Sequence, residues 1–96
     1  MEKMELEVYS QATNQAIVRM PHRQFPGLVI QGDTMSNLAD LAESIYERAK
    51  SSSDTELIDE ARDLKDKLNG FLLHYEIVLG EHNIGLPYSR RPFNIR

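Results

Sequence analysis

A row of apolar residues in the second half of the 96-residue chain limits its possible folds more than any other feature of the sequence. Apolar or aromatic residues recur there at alternating steps of four and three, and a histidine ends the row. Because these steps keep all members on one side of an α-helix, the row predicts a long helix whose seam packs against another helix. The members of the row are Leu57, Ala61, Leu64, Leu68, Phe71, Tyr75, Val78 and His82.

The segment before this row supplies the partner helix. Its apolar residues follow helical spacing, and Asp33 or Thr34 is placed to accept the free amides at the helix start. A run of serines interrupts the pattern, and the Ser-x-x-Glu box formed by Ser53 and Glu56 predicts that the second helix starts near residue 54. The sequence therefore predicts a helical hairpin over residues 33–83. The apolar residues of its first helix are Met35, Leu38, Leu41, Ala42, Ile45 and Ala49.

Three short strands are predicted ahead of the hairpin. Residues 5–9 alternate between polar and apolar, which puts Leu6 and Val8 on the inner face of a half-buried strand. Residues 16–20 and 27–31 have the apolar and β-branched composition of strands. The short connections between the three favour an antiparallel β-meander over residues 5–31.

Together these segments predict an α+β fold: a three-stranded antiparallel sheet followed by a two-helix antiparallel hairpin that packs on the sheet. The remaining residues, 84–96, contain two prolines and three arginines and predict an extended basic tail. A chain of this length makes a single domain, residues 1–96, with a core so small that self-association would help to complete it.

The charge distribution narrows the choice of partners. The formal net charge is −4, and residues 33–85 hold twelve acidic side chains against five basic ones. Because phosphate neutralisation supplies most of the affinity for nucleic acids, this acidic chain argues against a nucleic-acid partner. The chain has no cysteine and no apolar run long enough to cross a bilayer, so we expect a cytoplasmic protein without a membrane partner.

The loop after the second strand is the densest group of candidate binding residues. Two prolines stiffen its backbone, and its arginine forks are suited to carboxylates and phosphates. If the tail returns to the edge of the sheet, loop and tail form one basic patch with aromatic faces, which would take an anionic, nucleotide-like ligand. The alternative is that the arginines pair with the protein's own carboxylates. The candidate binding residues are Arg19, His22, Arg23, Phe25, Tyr88, Arg90 and Arg91.

The sequence contains no motif for catalysis or metal binding. It has no nucleophile elbow, phosphate-binding loop or paired-glycine fingerprint, and its histidines lack the spacing that puts metal ligands on one face of a helix. We therefore expect a non-catalytic protein without cofactor or metal. Two hypotheses follow: a protein-interaction module of the immunity, regulatory or anti-defence type, or a small-molecule binder.

Self-association is expected through the second helix. From Phe71 onward its apolar residues cover a wider arc than one partner helix can bury, and an uncovered apolar strip is normally a protein interface. Identical chains in two-fold symmetry are the commonest partners, so a homodimer is the first expectation. The expected interface residues are Gly70, where two helices would cross closely, and Leu73 and Ile77, which fall off the main seam.

Two groups of residues, one around the stiffened loop and one late in the second helix, form a recognisable pattern. They are Val18 to Pro21, Arg23, Phe25 to Gly27, Val29 to Asp33, Tyr75, Glu76, Leu79, His82 and Leu86 to Tyr88. On these residues the chain resembles a family of small bacterial proteins of uncharacterised function, over nearly its whole length except the residues after Tyr88. The resemblance implies a stand-alone bacterial domain and brings no activity, substrate or site residue with it.

Overall fold

The computed structural model describes residues 1–89 and contains three strands followed by two helices. The elements are β1 (Glu7–Ser10), β2 (Ala16–Arg19), β3 (Gly27–Val29), α1 (Gly32–Ala49) and α2 (Thr55–Glu81). The strands pair antiparallel in the order β1-β2-β3, and α1 packs against α2. The predicted fold class is therefore confirmed. The predictions made for Arg90 and Arg91 lie outside the described residues.

The strands are short and their side chains are poorly covered. Val8 pairs with Val18, and a bulge follows at Tyr9, so that Ser10 pairs with Ile17. Each strand has only three or four residues, and Val8, predicted to face inward, is exposed. A small sheet of this kind gains little stability by itself and depends on what packs against it.

The sheet does not pack against the hairpin, so that part of the prediction is wrong. Among the described residues, contacts join neighbouring strands and join α1 to α2, but none joins a strand to a helix. The radius of gyration is 16.1 Å, whereas a compact chain of this length has about 12.5 Å. Only Ile30 and Gln31 separate β3 from α1, and α2 already occupies the buried side of α1. The sheet therefore extends beyond the hairpin.

The first helix begins earlier than predicted. Gln31 is its N-cap residue and makes no side-chain capping hydrogen bond, so neither Asp33 nor Thr34 is the cap. Asp33 instead lies in the first turn, where a carboxylate interacts favourably with the helix dipole, and accepts a hydrogen bond from the Thr34 amide at 2.9 Å. The early start places Gly32 against the ring of Tyr75 on α2.

The seam between the helices also differs from the predicted one. Leu57, Leu64 and Phe71 were predicted in the seam and are exposed. The residues that follow Leu64 and Phe71, namely Lys65 and Leu72, are buried instead. The second helix is thus rotated about its axis relative to the prediction.

The residues of α1 account for this rotation. The buried side of α1 consists of small residues, so the longer side chains in the seam come from α2, with Lys65 and Leu72 among them. Three exposed apolar residues of α1 and three of α2 lie beside the seam and not in it. The buried residues of α1 are Gly32, Ser36, Ala39, Ala42 and Ala49.

Candidate functional site

The loop after β2 begins with a tight turn. The Arg23 amide donates to the Met20 carbonyl at 3.1 Å, Pro21 follows Met20, and His22 has a φ of 68°. Proline in the second position and a positive φ in the third are typical of a type II turn. Non-glycine residues rarely adopt that φ, so the turn constrains the backbone at His22.

An open depression of about 350 Å³ lies beside this turn. Three basic residues and two acidic ones line it, so its charge is mixed and not uniformly positive. The lining residues are Glu5, Glu7, Arg19, Met20, Pro21, His22 and Arg23. The structure therefore brings together three of the predicted binding residues, Arg19, His22 and Arg23.

The two arginines of this depression differ in their surroundings. Arg19 forms an ion pair and hydrogen bond with Glu7, its partner across the strands, and its guanidinium lies 6.0 Å from the centre of the Tyr9 ring. Arg23 forms no ion pair with any of the residues 1–89. Phe25, two residues further along, is 74% exposed. Arg23 and Phe25 are thus two loop side chains available for a partner.

The described part of the tail, residues 84–89, folds back on α2 and not on the sheet. Asn83 has a φ of 58°, and the Ile84 amide donates to the Leu79 carbonyl at 2.9 Å, which is the Schellman geometry that ends a helix and reverses the chain. The hydroxyl of Tyr88 then donates to the buried carboxylate of Glu76 at 2.7 Å. Tyr88 therefore does not join Arg23 in one patch, since α2 makes no contact with the sheet.

A large uncovered apolar surface lies on the hairpin. Six large apolar side chains, three from each helix, are between 40% and 62% exposed. We call this surface the apolar face; it consists of Leu38, Leu41 and Ile45 on α1 and Leu57, Leu64 and Phe71 on α2.

These six residues lie on the same side of the hairpin. On α1 the steps from Leu38 are three and four, and on α2 the steps from Leu57 are seven, so each set forms a row along its helix. On each helix, every residue of the exposed row comes one position before a buried or half-buried residue. Because the two helices are antiparallel, this equal offset puts both rows on the same side of the hairpin. Ile45 and Leu57 line one shallow depression, about 300 Å³ in volume, which joins the two rows at the turn.

The opposite side of the seam is polar and charged. The ring of Tyr46 has three cations around it, with the Lys65 ammonium 4.4 Å, Lys50 5.2 Å and the Arg62 guanidinium 5.6 Å from its centre. The hydrogen bond with Glu47 raises the pKa of Lys50, and the hydrogen bond with Tyr46 raises the pKa of Arg62. Such charged contacts stay favourable in water, so the cluster around Tyr46 needs no cover.

The predicted interface residues lie away from the apolar face. Leu73 and Ile77 are 48% and 52% exposed, and both point to the polar side of the hairpin. A Cβ on Gly70 would have no atom within 4 Å, so the protomer itself shows no close approach there. Sequence reasoning missed the apolar face because it assigned the same residues to the core. The signal that marks this face is the row of small residues on α1 beside the row of large ones.

Residues 1–89 contain neither a metal-binding cluster nor a membrane-spanning helix. No group of three His, Asp or Glu side chains in this part of the chain is arranged to hold a metal ion. Neither helix there combines the length and the apolar character that a bilayer crossing requires.

Comparisons with known proteins give a family and nothing more specific. A family model described as "Family of unknown function (DUF6959)" matches residues 1–88. No curated protein and no solved structure matches the chain significantly. The match ends one residue before the last described residue, so it includes the loop, both helices and Tyr88.

Proposed function

We propose that this chain, which belongs to the Family of unknown function (DUF6959), is a small bacterial, cytoplasmic, non-catalytic protein-interaction module that acts as an oligomer. The observation that carries the proposal is the distribution of side chains in the hairpin. The seam between the helices buries small and polar residues together with Leu72, whereas the six large apolar residues of the apolar face are exposed on one side.

This distribution is the reverse of what a self-sufficient hairpin requires. Lys65, Asn69 and Glu76 are buried in the seam, while Leu41 is 60% exposed. Leu72 is the only large side chain within residues 1–89 that is completely buried. Because apolar burial is the main favourable contribution to folding, a chain that exposes most of its large apolar residues gains stability when another protein covers them.

The concentration dependence of thermal unfolding tests this proposal. An interaction that forms only in the native state stabilises it in proportion to the logarithm of the partner concentration. The melting temperature of the purified protein is therefore expected to rise between about 1 and 100 µM. A melting temperature that stays constant over this range, for a species of the single-chain mass of 11.0 kDa, would contradict the oligomeric part of the proposal.

A different protein would bind at surfaces that the oligomer leaves open. The polar side of the hairpin carries much of the acidic excess of residues 33–85, and the β2–β3 loop presents Arg23 and Phe25. Arginine and aromatic side chains are over-represented among residues that dominate binding energies. An immunity, regulatory or anti-defence role is the version of the proposal that these surfaces fit, with a basic partner opposite the acidic helices.

A second candidate function is the capture of an anionic, nucleotide-like small molecule. It is favoured by the depression that holds Arg19, His22 and Arg23, where Arg23 has no ion-pair partner among the described residues. Glu5 and Glu7 in the same depression weaken its attraction for anions. A thermal-shift screen with nucleotides, sugar phosphates and carboxylates tests it, because a ligand that prefers the native state raises the melting temperature. No shift with any of these probes would exclude this candidate.

A further inference from the structure

We infer that the partner covering the apolar face is a second copy of this chain, and that two hairpins stack face to face as a four-helix bundle. The inference rests on the proposed function, since it names the partner of the same surface. It also places the interface on the side of the hairpin opposite to Leu73 and Ile77, whereas the sequence predicts the interface at Gly70, Leu73 and Ile77.

The arrangement of the apolar face in levels is the first support. Gly32 lies against Tyr75 at one end of the hairpin, and Ile45 and Leu57 share a depression at the other. Between these ends the antiparallel helices bring the remaining residues of the face to neighbouring heights. The levels are Ile45 with Leu57, Leu41 with Leu64, and Leu38 near Phe71.

Two-fold stacking of these levels produces a bundle core. Each level supplies two apolar side chains, so each pair of facing levels supplies four, one from every helix. Four-helix bundles have cores of this composition, and their apolar positions recur with the heptad spacing that separates Leu57, Leu64 and Phe71. In the bundle, the six side chains of the apolar face occupy the layer between protomers, whereas Leu72 is the only large apolar side chain completely buried within the described part of each protomer.

The size of the apolar face fits an interface between two copies. Its six side chains expose the equivalent of about three whole residues, on the order of 600 Å² at ~200 Å² for each residue. This is at the upper limit of the apolar patches that monomers expose, about 300 to 600 Å². With the polar residues around it, the face approaches the ~800 Å² that each partner contributes to a standard interface.

The charges around the apolar face favour an identical partner. Arg48 borders it on α1, and Glu60 and Lys67 border it on α2, so the rim carries both signs. A self-complementary interface needs both signs on one surface, since each copy has to supply the partner of its own charges.

The first test compares two matched pairs of substitutions by molar mass. Leu41→Glu with Leu64→Glu places charges in the apolar face, and Leu73→Glu with Ile77→Glu places charges at similarly exposed positions on the other side. Light scattering is expected to give twice the chain mass of 11.0 kDa for the wild type and for the second pair, and the single-chain mass for the first pair.

Other results separate the inference from the function it rests on. If the Leu73 and Ile77 pair gives the single-chain mass and the Leu41 and Leu64 pair does not, the inference is wrong but the protein still acts as an oligomer. If both pairs dissociate the protein, the assignment to one side is wrong. If the wild type has the mass of one chain, the second copy is excluded, and so is the oligomeric part of the proposed function.

A labelling experiment covers the case in which the glutamate variants do not fold. The chain has no cysteine, so Leu41→Cys and Ile77→Cys each introduce a unique thiol with little disturbance. A thiol must be accessible to react, so maleimide labelling of the folded protein is expected to be about tenfold slower at position 41 than at position 77. Labelling at equal rates would show that the apolar face is open, whatever the mass, and would overturn the inference.

Discussion

Gly32 at the start of α1 packs directly against the ring of Tyr75 on α2. A Cβ on Gly32 would overlap the ring carbon Cζ and lie 2.5 Å from the hydroxyl oxygen, closer than real Cβ contacts. This contact joins the helices at the end of the hairpin that is distant from the turn. It is one of the contacts that determine the height of α1 against α2.

Gly32→Ala is therefore expected to destabilise the protein. The added methyl group forces the Tyr75 ring to move, and overpacking of this kind costs about 1 to 3 kcal/mol of unfolding free energy. Gly70→Ala is the matched control, because a Cβ there meets nothing within 4 Å and alanine is the better helix former by about 1 kcal/mol. Urea unfolding of both variants tests the pair. A loss of stability in Gly70→Ala would instead indicate a helix of a second copy close to Gly70.

Asp54→Ala is expected to cost about 1 kcal/mol of unfolding free energy, because the Asp54 carboxylate accepts the Leu57 amide at 3.1 Å at the start of α2. Ser53→Ala is the informative control. The capping-box pattern predicts Ser53 as the cap, whereas the structure gives that role to Asp54, so the serine substitution should change stability by less than about 0.5 kcal/mol. A larger loss of stability for Ser53→Ala than for Asp54→Ala in chemical denaturation would show that Ser53 is the cap, as the capping-box pattern predicts.

Tyr88→Phe tests how the tail is attached. The substitution removes only the hydroxyl that donates to Glu76 at 2.7 Å, and loss of a hydrogen bond to a buried charged group costs about 1.5 to 3 kcal/mol. Tyr9→Phe removes an exposed hydroxyl 3.4 Å from Glu7 and is expected to have almost no effect on the melting temperature. Equal melting temperatures for the two variants would mean that Tyr88 does not hold the tail on α2.

Arg19 and Arg23 are expected to respond differently to alanine. Arg19→Ala breaks the cross-strand pair with Glu7 and should lower the unfolding free energy by up to about 1 kcal/mol. Arg23→Ala should leave it unchanged within about 0.5 kcal/mol, since the side chain has no ion-pair partner within residues 1–89. A larger loss in Arg23→Ala would indicate a structural role and remove it from the candidate binding residues.

The sequence contains enough information for the order of elements and too little for their packing. Alternation at Val8, helical spacing on α1 and the heptad row on α2 each depend on neighbours along the chain, and they predict the elements well. Which side of α2 faces α1 depends on another element. The pattern of α2 alone allows either Leu64 or Lys65 to face α1. In the structure Lys65 faces the small residues of α1, and Leu64 is exposed.

The same reasoning applies to the candidate site. The turn at Pro21 and His22 follows from local sequence, and so does the grouping of Arg19 with Arg23. The position of Tyr88 does not, because it depends on where Asn83 reverses the chain. Heptad spacing is also common to seams within a chain and seams between chains, so periodicity alone cannot tell the apolar face from a core.

The molar mass of the unmodified protein in solution tests the central claim most directly, namely that the exposed large apolar residues of the hairpin are covered by association. Sedimentation or light scattering at micromolar concentration is predicted to give at least twice the chain mass of 11.0 kDa. A stable, folded species of 11.0 kDa at the same concentration would contradict the account, because it would show that the chain tolerates its apolar face in water without a partner.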